Sequence, residues 1–249
     1  MKKIFAFLLF IIPLFGEDLS YQAIYKSLKS NSLSEQIAFY HLYPNTVEGK
    51  KALHQSWKLL THDDTQVLPD NLLPKLDPQF FLAFITKKTM AQPQDMSEKQ
   101  IEFINVLSQH FKNRKLKGHY ISTEQELFEL PLDQIDLSKD LLIAQLGSSK
   151  ENQKKIQSYE AYLDLMALHI QAKLSKNPTD LDIIYGINDL IFHEMHFRYP
   201  SHSSCCKQID AYTFLSSVIE SRQGVCLGVS ILYLSLAQRL GLSLESITP

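Results

Sequence analysis

The stretch GVCLGVSILYLSLAQRLGL, residues 224–242, decides the fold of the second half of the chain. Its apolar residues recur at spacings of three and four, and no charged residue lies between Arg222 and Arg239. This pattern predicts a largely buried α-helix. Arg239 suits the negative end of a helix dipole, and Gly241 suits a left-handed C-cap. The helix therefore begins with Cys226 in its first turn.

The position of Cys226 indicates a chemical role. The first amide N–H groups of a helix have no intrahelical acceptors, so they and the helix dipole stabilise an anion such as a thiolate. A thiolate is the nucleophile in acyl transfer, and the same amides can stabilise an oxyanion. Gly224 is expected to permit the sharp turn into the helix, and Gly228 to let another segment or a substrate approach. In the alternative interpretation, Cys226 is a small hydrophobe inside the core.

The rest of the chain is predicted to be mainly α-helical. One long helix is expected from about Ile156 to Leu174, and Asp180 is the expected N-cap of the next helix. We expect a helical region of unknown role over residues 17–150, a second domain over residues 155–249, and a junction near residues 147–155. No repeat of fixed period is found in the helical region.

The composition is that of a globular protein. Hydrophobic residues make up 45% and charged residues 21% of the 249 residues, which is enough to bury a core. The net charge of -2 argues against a nucleic-acid partner, and the densest basic stretch, KNRKLK at residues 112–117, is interpreted as a solvated turn.

Residues 1–16 have the order of charges and apolar residues found in a secretory signal. Lys2 and Lys3 precede an apolar run over residues 4–15, and Gly16 stands before two acidic residues. Because a membrane span needs about 20 apolar residues, the run is too short to be one. We therefore expect export, to a bacterial periplasm or beyond, and no stable membrane span in the mature chain.

The other cysteines and several histidines are residue types that can bind metals. His193 and His196 are three residues apart, whereas the helical zinc motif needs a spacing of four. His202 could approach a metal together with Cys205 and Cys206, although two small residues in a polar loop are the simpler interpretation of that pair. The prediction names no metal ligand and no cofactor.

Two stretches, DLDIIYGINDLIFHEMHFRY and SSVIESRQGVCLGVSILYLSLAQRLGLSLESITP, resemble the transglutaminase-like domain of the bacterial SirB1 family. The resemblance covers about residues 158–249 and is most specific in the last 30. The matching residues are Ile187, Asn188, Leu190, Ile191, Phe192, Glu194 and Phe197 in the first stretch, and Arg222, Gly224, Ser230, Leu232, Tyr233, Leu234, Ala237, Arg239, Leu240, Gly241 and Leu242 in the second.

The resemblance implies the helical part of an α+β, papain-like core, whose first strand is expected at about residues 242–247. Many SirB1-like sequences carry proline where this chain has Cys226, so the cysteine implies a retained or regained nucleophile. The superfamily order is Cys, His, Asp, and a PGH motif is expected directly after residue 249. We therefore expect the chain to be a truncated piece of a longer protein.

Two functions from different classes follow. In the first, the chain is an exported thiol enzyme that acts on amide bonds as a protease, deamidase or acyl transferase, with Cys226 as its nucleophile and a protein or peptide as substrate. In the second, it is a non-catalytic helical binding or scaffold protein.

Overall fold

The computed structural model describes residues 21–62, 92–201 and 206–244 and shows a mainly α-helical protein over them. This confirms the mainly α prediction. Its helices are α1 (Tyr21–Ser27), α2 (Leu33–Leu42), α3 (Val47–Thr61), α4 (Glu98–Leu107), α5 (Glu124–Phe128), α6 (Leu137–Leu146), α7 (Lys150–Gln171), α8 (Asp180–Asn188), α9 (Leu215–Ser221) and α10 (Cys226–Leu240). Short 3₁₀ turns lie at Pro93–Asp95, Ser108–His110, Lys112–Lys115, Lys117–Tyr120, Leu132–Gln134 and Cys206–Tyr212.

Helix α7 lies at the centre of the described fold. Every residue from Tyr159 to Gln171 is buried, so this part of the helix is covered on all sides. It packs against α3, α4, α6, α8 and α10. A single hydrophobic cluster extends through these helices, from Leu33 to Leu242. The helices that precede α7 and those that follow it therefore bury apolar surface in the same core.

Two helix starts differ from the sequence prediction. Helix α7 begins at Lys150 rather than near Ile156, because Ser149 caps it by accepting from the Asn152 amide at 3.2 Å. Helix α8 is capped by Thr179 rather than by Asp180, which is its first helical residue. In both places a serine or threonine directly before the first helical residue provides the cap.

The end of α10 is as predicted. Gly241 adopts a left-handed conformation with φ of 81°, and the Leu242 amide donates to the Ala237 carbonyl at 2.9 Å. These bonds satisfy carbonyl groups that the helix end would otherwise leave without donors. Leu232 and Leu236 of α10 are fully buried, whereas Cys226 and Leu227 at its start are exposed. Most of the buried residues of the helix therefore lie toward its C-terminal end, with Gly228 as the buried residue of its first turn.

The α+β core implied by the resemblance is absent from the described residues, which contain no strand. Their one β-type contact is an isolated parallel bridge between Arg198 and Gln223. The strand expected over residues 242–247 begins with residues 242–244, which have no regular structure, and its remainder lies outside the described residues. The Leu242 side chain packs in the helical core.

Other predictions fall where the structure gives limited information. The expected signal, residues 1–16, lies outside the described residues. None of the helices in the described part of the chain is both long enough and apolar enough to cross a bilayer. The domain junction near residues 147–155 stays a prediction. At that place the chain passes from α6 to α7 through Gly147, which has a φ of 81°.

Candidate functional site

Cys226 is the first residue of α10, and its thiol is free and exposed. It therefore lies in the first turn, as the sequence predicts. The alternative of a small hydrophobe sealed in the core is wrong, because the side chain is open to solvent. An accessible thiol can meet a substrate or a labelling reagent without unfolding of the chain.

The amide groups around Cys226 lack the usual side-chain cap. Val225 is the N-cap residue, and its side chain has no oxygen that could accept from the first turn. The first intrahelical bond at this end runs from the Val229 amide to the Val225 carbonyl at 3.1 Å. The amides before Val229 have no intrahelical acceptor, and no acidic residue lies in the first turn. This end of α10 therefore has the positive polarity of a helix N-terminus, which favours an oxyanion bound there.

Two glycines near Cys226 allow close packing. A Cβ atom at Gly228 would lie 2.3 Å from the Tyr212 carbonyl oxygen, so only glycine lets the 212–213 segment approach the helix. The Val225 amide donates to the same Tyr212 carbonyl at 3.0 Å, which ties the start of α10 to that segment. The sequence predicts that another segment or a substrate approaches Gly228, and in the structure the 212–213 segment of the chain does so.

The role expected of Gly224 requires a correction. Among the described glycines, only Gly147 and Gly241 have a positive φ, so Gly224 is not needed for a left-handed turn into the helix. Instead, a Cβ atom at Gly224 would lie 2.9 Å from Val229 Cγ2 and 3.3 Å from Val218. Gly224 is buried and permits close packing between α9 and α10.

The histidines singled out from the sequence do not form a site with Cys226 in the described residues. His193 and His196 are both exposed, and His196 has a positive φ of 57°. No ionisable side chain in residues 21–62, 92–201 and 206–244 hydrogen-bonds to Cys226. His202 and Cys205 lie outside the described residues, as does the side chain of Cys206.

Helix α8 continues into a π-helical turn, Asp189–Glu194, in which the HEMH motif begins. This turn directs Glu194 toward α7, where its carboxylate lies 2.7 Å from His169 Nε2 and also contacts Lys173. Burial opposes ionisation of Glu194, but the hydrogen bonds from His169 and Lys173 lower its pKa to about 2. Glu194 therefore links the π-helical turn after α8 to the central helix α7. Because its pKa is low, its carboxylate carries no proton to donate at neutral pH.

A buried arginine near the C-terminal end of α10 holds two carboxylates of α7. Arg239 is 1% exposed, its Nε donates to Asp164 Oδ1 at 2.8 Å, and its Nη2 lies 3.2 Å from Glu160 Oε1. Its Nη1 donates to Ser138 Oγ at 2.9 Å. Burial disfavours the charged form, yet the surrounding carboxylates raise the pKa of Arg239 further above its usual range. Arg239 therefore does more than complement the negative end of the helix dipole, which is the role that the sequence predicts.

A second guanidinium reaches Asp164 from the other side. Arg114 forms an ion pair with Asp164 Oδ2, and Ser108 Oγ donates to the same oxygen at 2.8 Å. Arg114 Nη1 also lies 2.7 Å from His119 Nε2. Asp164, which is fully buried, is thus held between two cations, one before α7 in the chain and one after it.

Asp136 extends this network into the helices that precede α7. His119 Nδ1 lies 2.9 Å from its Oδ2, Asn113 Nδ2 donates to the same oxygen at 2.9 Å, and Ser138 Oγ donates to Oδ1 at 3.1 Å. Burial opposes ionisation, but the His119 bond, the charge of Arg239 and the Asn113 bond lower the pKa of Asp136 to about 2. Asp136 is therefore a stable anion of the interior.

Asp140 behaves in the opposite way. It is 4% exposed, and neither of its carboxyl oxygens has a hydrogen-bond partner among the described residues. Burial and the negative charges of Asp136 and Glu160 raise the pKa of Asp140 to about 7. Burial also raises the pKa of Glu160, although Arg239 opposes that shift. Asp140 therefore titrates near neutral pH inside the fold.

One set of residues in this network has the spacing of a metal site. One ligand atom each from His119, Asp136 and Glu160 lie within 4.8 Å of one another. An arginine can only donate, so the contact with Arg114 requires His119 Nε2 to accept and leaves the ring proton on Nδ1. That proton faces Asp136, in the direction from which a metal would bind. The arrangement therefore fits a hydrogen-bonded ion cluster better than a cation site.

The comparisons concern only the second half of the chain. Residues 157–248 match a protein family described as the Transglutaminase-like superfamily. The matched residues include the greater part of α7 and all of α8, α9 and α10, together with Cys226 and Arg239. No curated protein and no solved structure matches the chain. The family match thus covers Cys226 and the helices around it, whereas residues 21–62 and 92–156 lie outside the matched range.

The sequence prediction missed the buried ion cluster. Its members Arg114, His119, Asp136, Glu160, Asp164 and Arg239 lie on several elements, far apart in the chain. A partial signal was present, because Glu160 and Asp164 interrupt the apolar stripe of α7 at a spacing of four. Charged residues at core positions need partners, and such a pair indicates a buried cation nearby.

Proposed function

We propose that the chain is a cysteine-dependent enzyme of the transglutaminase-like class, related to the SirB1 family, that transfers acyl groups from amides through Cys226. The observation that carries this proposal is the exposed, free thiol at the first residue of α10, beside amides without intrahelical acceptors. That thiol lies in the segment that matches the family. A nucleophilic sulfur and amides that can stabilise an oxyanion thus lie at one place.

In the proposed reaction, the Cys226 thiolate attacks the carbonyl carbon of a protein or peptide amide. The C–S bond forms as the carbonyl electrons move to oxygen, and the first-turn amides of α10 can donate to that oxygen. Collapse of the tetrahedral intermediate breaks the C–N bond, and the nitrogen leaves as a protonated amine. Water or a second amine then attacks the thioester and releases the thiol. The resemblance implies that a His and an Asp that follow Cys226 in the chain move these protons.

The site of action is proposed from the first residues of the chain. The two lysines, the apolar run over residues 4–15 and Gly16 support export, and an oxidising compartment outside the cytoplasm is the proposed location. An exported thiol enzyme would act on extracytoplasmic proteins or peptides. Cleavage of residues 1–16 during secretion, measured from the N-terminal mass of the secreted chain, tests this part separately.

A matched pair of variants tests the nucleophile. In the full chain, Cys205→Ser with Cys206→Ser removes the other thiols, so intact-mass measurement of iodoacetamide labelling reports on Cys226 alone. We expect labelling at pH 7 to be at least about tenfold faster than for an unstructured cysteine peptide. We also expect ammonia release from a glutamine-containing peptide, which adding Cys226→Ser abolishes. A labelling rate equal to that of the peptide, without any ammonia or amine release, would reject the proposal.

The second candidate function is a non-catalytic binding or scaffold protein. One observation favours it: within the described parts of the chain, Cys226 has no ionisable hydrogen-bond partner that could act as a base. Under this alternative the exposed thiol labels at an ordinary rate, and Cys226→Ser changes no acyl-transfer activity. The labelling experiment therefore separates the two functions.

A further inference from the structure

The two most exposed large apolar side chains described in the protein lie on one short segment, far from Cys226 in the sequence. Phe128 is 87% exposed and Leu132 is 88% exposed, and they are four residues apart. The segment, residues 122–134, contains α5, Glu124–Phe128, and the turn Leu132–Gln134. Isolated exposed apolar residues are ordinary, but two nearly bare large ones close together indicate a contact surface.

The segment has an inner side that is already used. Leu127 and Leu130 pack against the hydrophobic core, and a capping box between Thr123 and Glu126 fixes the start of α5. The core contacts of this segment are therefore made by Leu127 and Leu130, and not by Phe128 or Leu132. The segment is held on the fold by one set of leucines and presents a second apolar set to solvent.

The charged residues that flank Phe128 and Leu132 in the sequence are acidic, and Lys117 lies beside the far end of the segment, where its amide donates to Gln134 Oε1 at 3.4 Å. No lysine or arginine occurs from residue 118 to residue 138, whereas Glu129 and Asp133 are exposed next to the two apolar side chains. The Glu129 carboxylate has no partner among the described residues, and the Asp133 carboxylate accepts only from the neighbouring Gln134 at 3.2 Å. These two carboxylates are free to attract a cation.

Two lysines of the adjacent helix α7 pair with carboxylates elsewhere. The N-terminal part of α7 touches the segment, because Gln153 donates to the Ser122 carbonyl. On that helix, Lys154 lies 3.6 Å from Glu98, and Lys155 lies 3.0 Å from Glu151. Both ammonium groups therefore face carboxylates outside the segment.

We propose that Phe128, Leu132, Glu129 and Asp133 form a docking surface for a basic, amphipathic segment of a partner protein. Burial of the two apolar side chains against the partner removes apolar surface from water. The two carboxylates select lysine or arginine beside the partner's apolar residues. This function is independent of acyl transfer at Cys226, and neither Cys226 nor α10 contributes to the surface.

Fluorescence anisotropy with a labelled helical peptide of leucine and lysine, added to the full chain, tests the proposal. We expect saturable binding that Phe128→Ser with Leu132→Ser weakens at least about tenfold. Glu129→Gln with Asp133→Asn should weaken it less and reduce its salt dependence. The peptide with glutamate in place of lysine should not bind. All four substituted side chains are exposed, so the variants should fold, which circular dichroism verifies.

A matched control uses a second exposed apolar pair. Leu181 is 60% exposed and Tyr185 is 66% exposed, and both lie on α8 near Asp180 and Asp182. Leu181→Ser with Tyr185→Ser should leave peptide binding unchanged. Equal weakening by both variant pairs, or absence of saturable binding, would overturn the proposal. Self-association of the chain that only Phe128→Ser with Leu132→Ser abolishes would also overturn it, because the occupant would then be a second copy.

Discussion

The two ends of α10 differ in almost every physical respect. At the N-terminal end, Cys226 is exposed, the cap residue offers no side-chain oxygen, and the first amides have no intrahelical partner. At the C-terminal end, Gly241 closes the helix, and Arg239 is buried among carboxylates of α7 and a hydroxyl of α6. One end is held in place by the interior and the other is open to a reactant. Because its C-terminal end is anchored, α10 can leave backbone amides without acceptors at its N-terminal end and still remain helical.

The largest expected effect comes from breaking the anchored end. Arg239→Leu leaves Asp164 and Glu160 buried without one of their cations, and we expect it to lower the free energy of unfolding by about 3–5 kcal/mol. Denaturant unfolding followed by circular dichroism measures this loss. Arg239→Lys retains the charge but not the forked hydrogen bonds, so it should lose less. A loss below about 1 kcal/mol for Arg239→Leu would contradict the anchoring role.

The next effect is expected at the open end, where the chain packs closely on α10. Gly228→Ala places a methyl group 2.3 Å from the Tyr212 carbonyl oxygen, so that backbone must move. We expect a loss of about 1–3 kcal/mol in the free energy of unfolding and a changed labelling rate at Cys226. Ser230→Ala, at an exposed position of the same helix, is the control and should change neither. Equal behaviour of the two variants would show that the contact at Gly228 is unimportant.

A smaller, pH-dependent effect is expected from Asp140 beside the anchored end. Its pKa is raised to about 7, so the folded chain keeps a proton that the unfolded chain loses near pH 4. Stability from this group therefore falls as the pH rises from about 4 to 7. Asp140→Asn keeps the neutral form and should increase the free energy of unfolding by about 1–2 kcal/mol at pH 8 and by little at pH 4. Unfolding curves at both pH values measure the difference.

Asp136 gives the opposite sign and serves as the control for Asp140. Its pKa is lowered to about 2, so its stabilising contribution is present above about pH 4 and is lost as the pH falls toward 2. Asp136→Asn should therefore destabilise the chain at pH 8. If both asparagine variants shifted stability in the same direction at pH 8, the assignment of charge within the cluster would be wrong.

The smallest effect on stability is expected from Cys226 itself. Because its side chain is exposed, Cys226→Ser should change the free energy of unfolding by less than about 0.5 kcal/mol. The same substitution should abolish the proposed acyl transfer, measured as ammonia release from a glutamine peptide. A large loss of stability would show that the open end of α10 is also structural, and the contrast between the two ends would disappear.

The sequence was sufficient where local signals determine structure. The bounds of α10 follow from an apolar period, a glycine at the left-handed C-cap and the turn before Cys226, all within a few residues. Helix starts at Lys150 and Asp180 were misplaced because a serine or threonine cap precedes the apolar pattern that was used to locate them. Such errors of a few residues leave the helical class intact.

The sequence was insufficient where partners are distant in the chain. Arg239 meets Ser138, which is 101 residues away, and Asp164, which is 75 residues away. No periodicity links those positions, so Arg239 suggested only an interaction with its own helix end. The strand expected after α10 was inferred from the resemblance alone, and residues 242–244 do not show it.

The helices before and after α7 share one core, and this has a practical consequence for work on the family-matching residues 157–248. A fragment that began at residue 155 would lack Arg114, Asp136 and Ser138, so Asp164 and Arg239 would lose partners supplied by the preceding helices. It would also expose the faces of α7 that α4 and α6 cover. Such a fragment should be poorly soluble, and its recovery should improve when residues 92–154 are supplied, in the same chain or as a co-expressed piece.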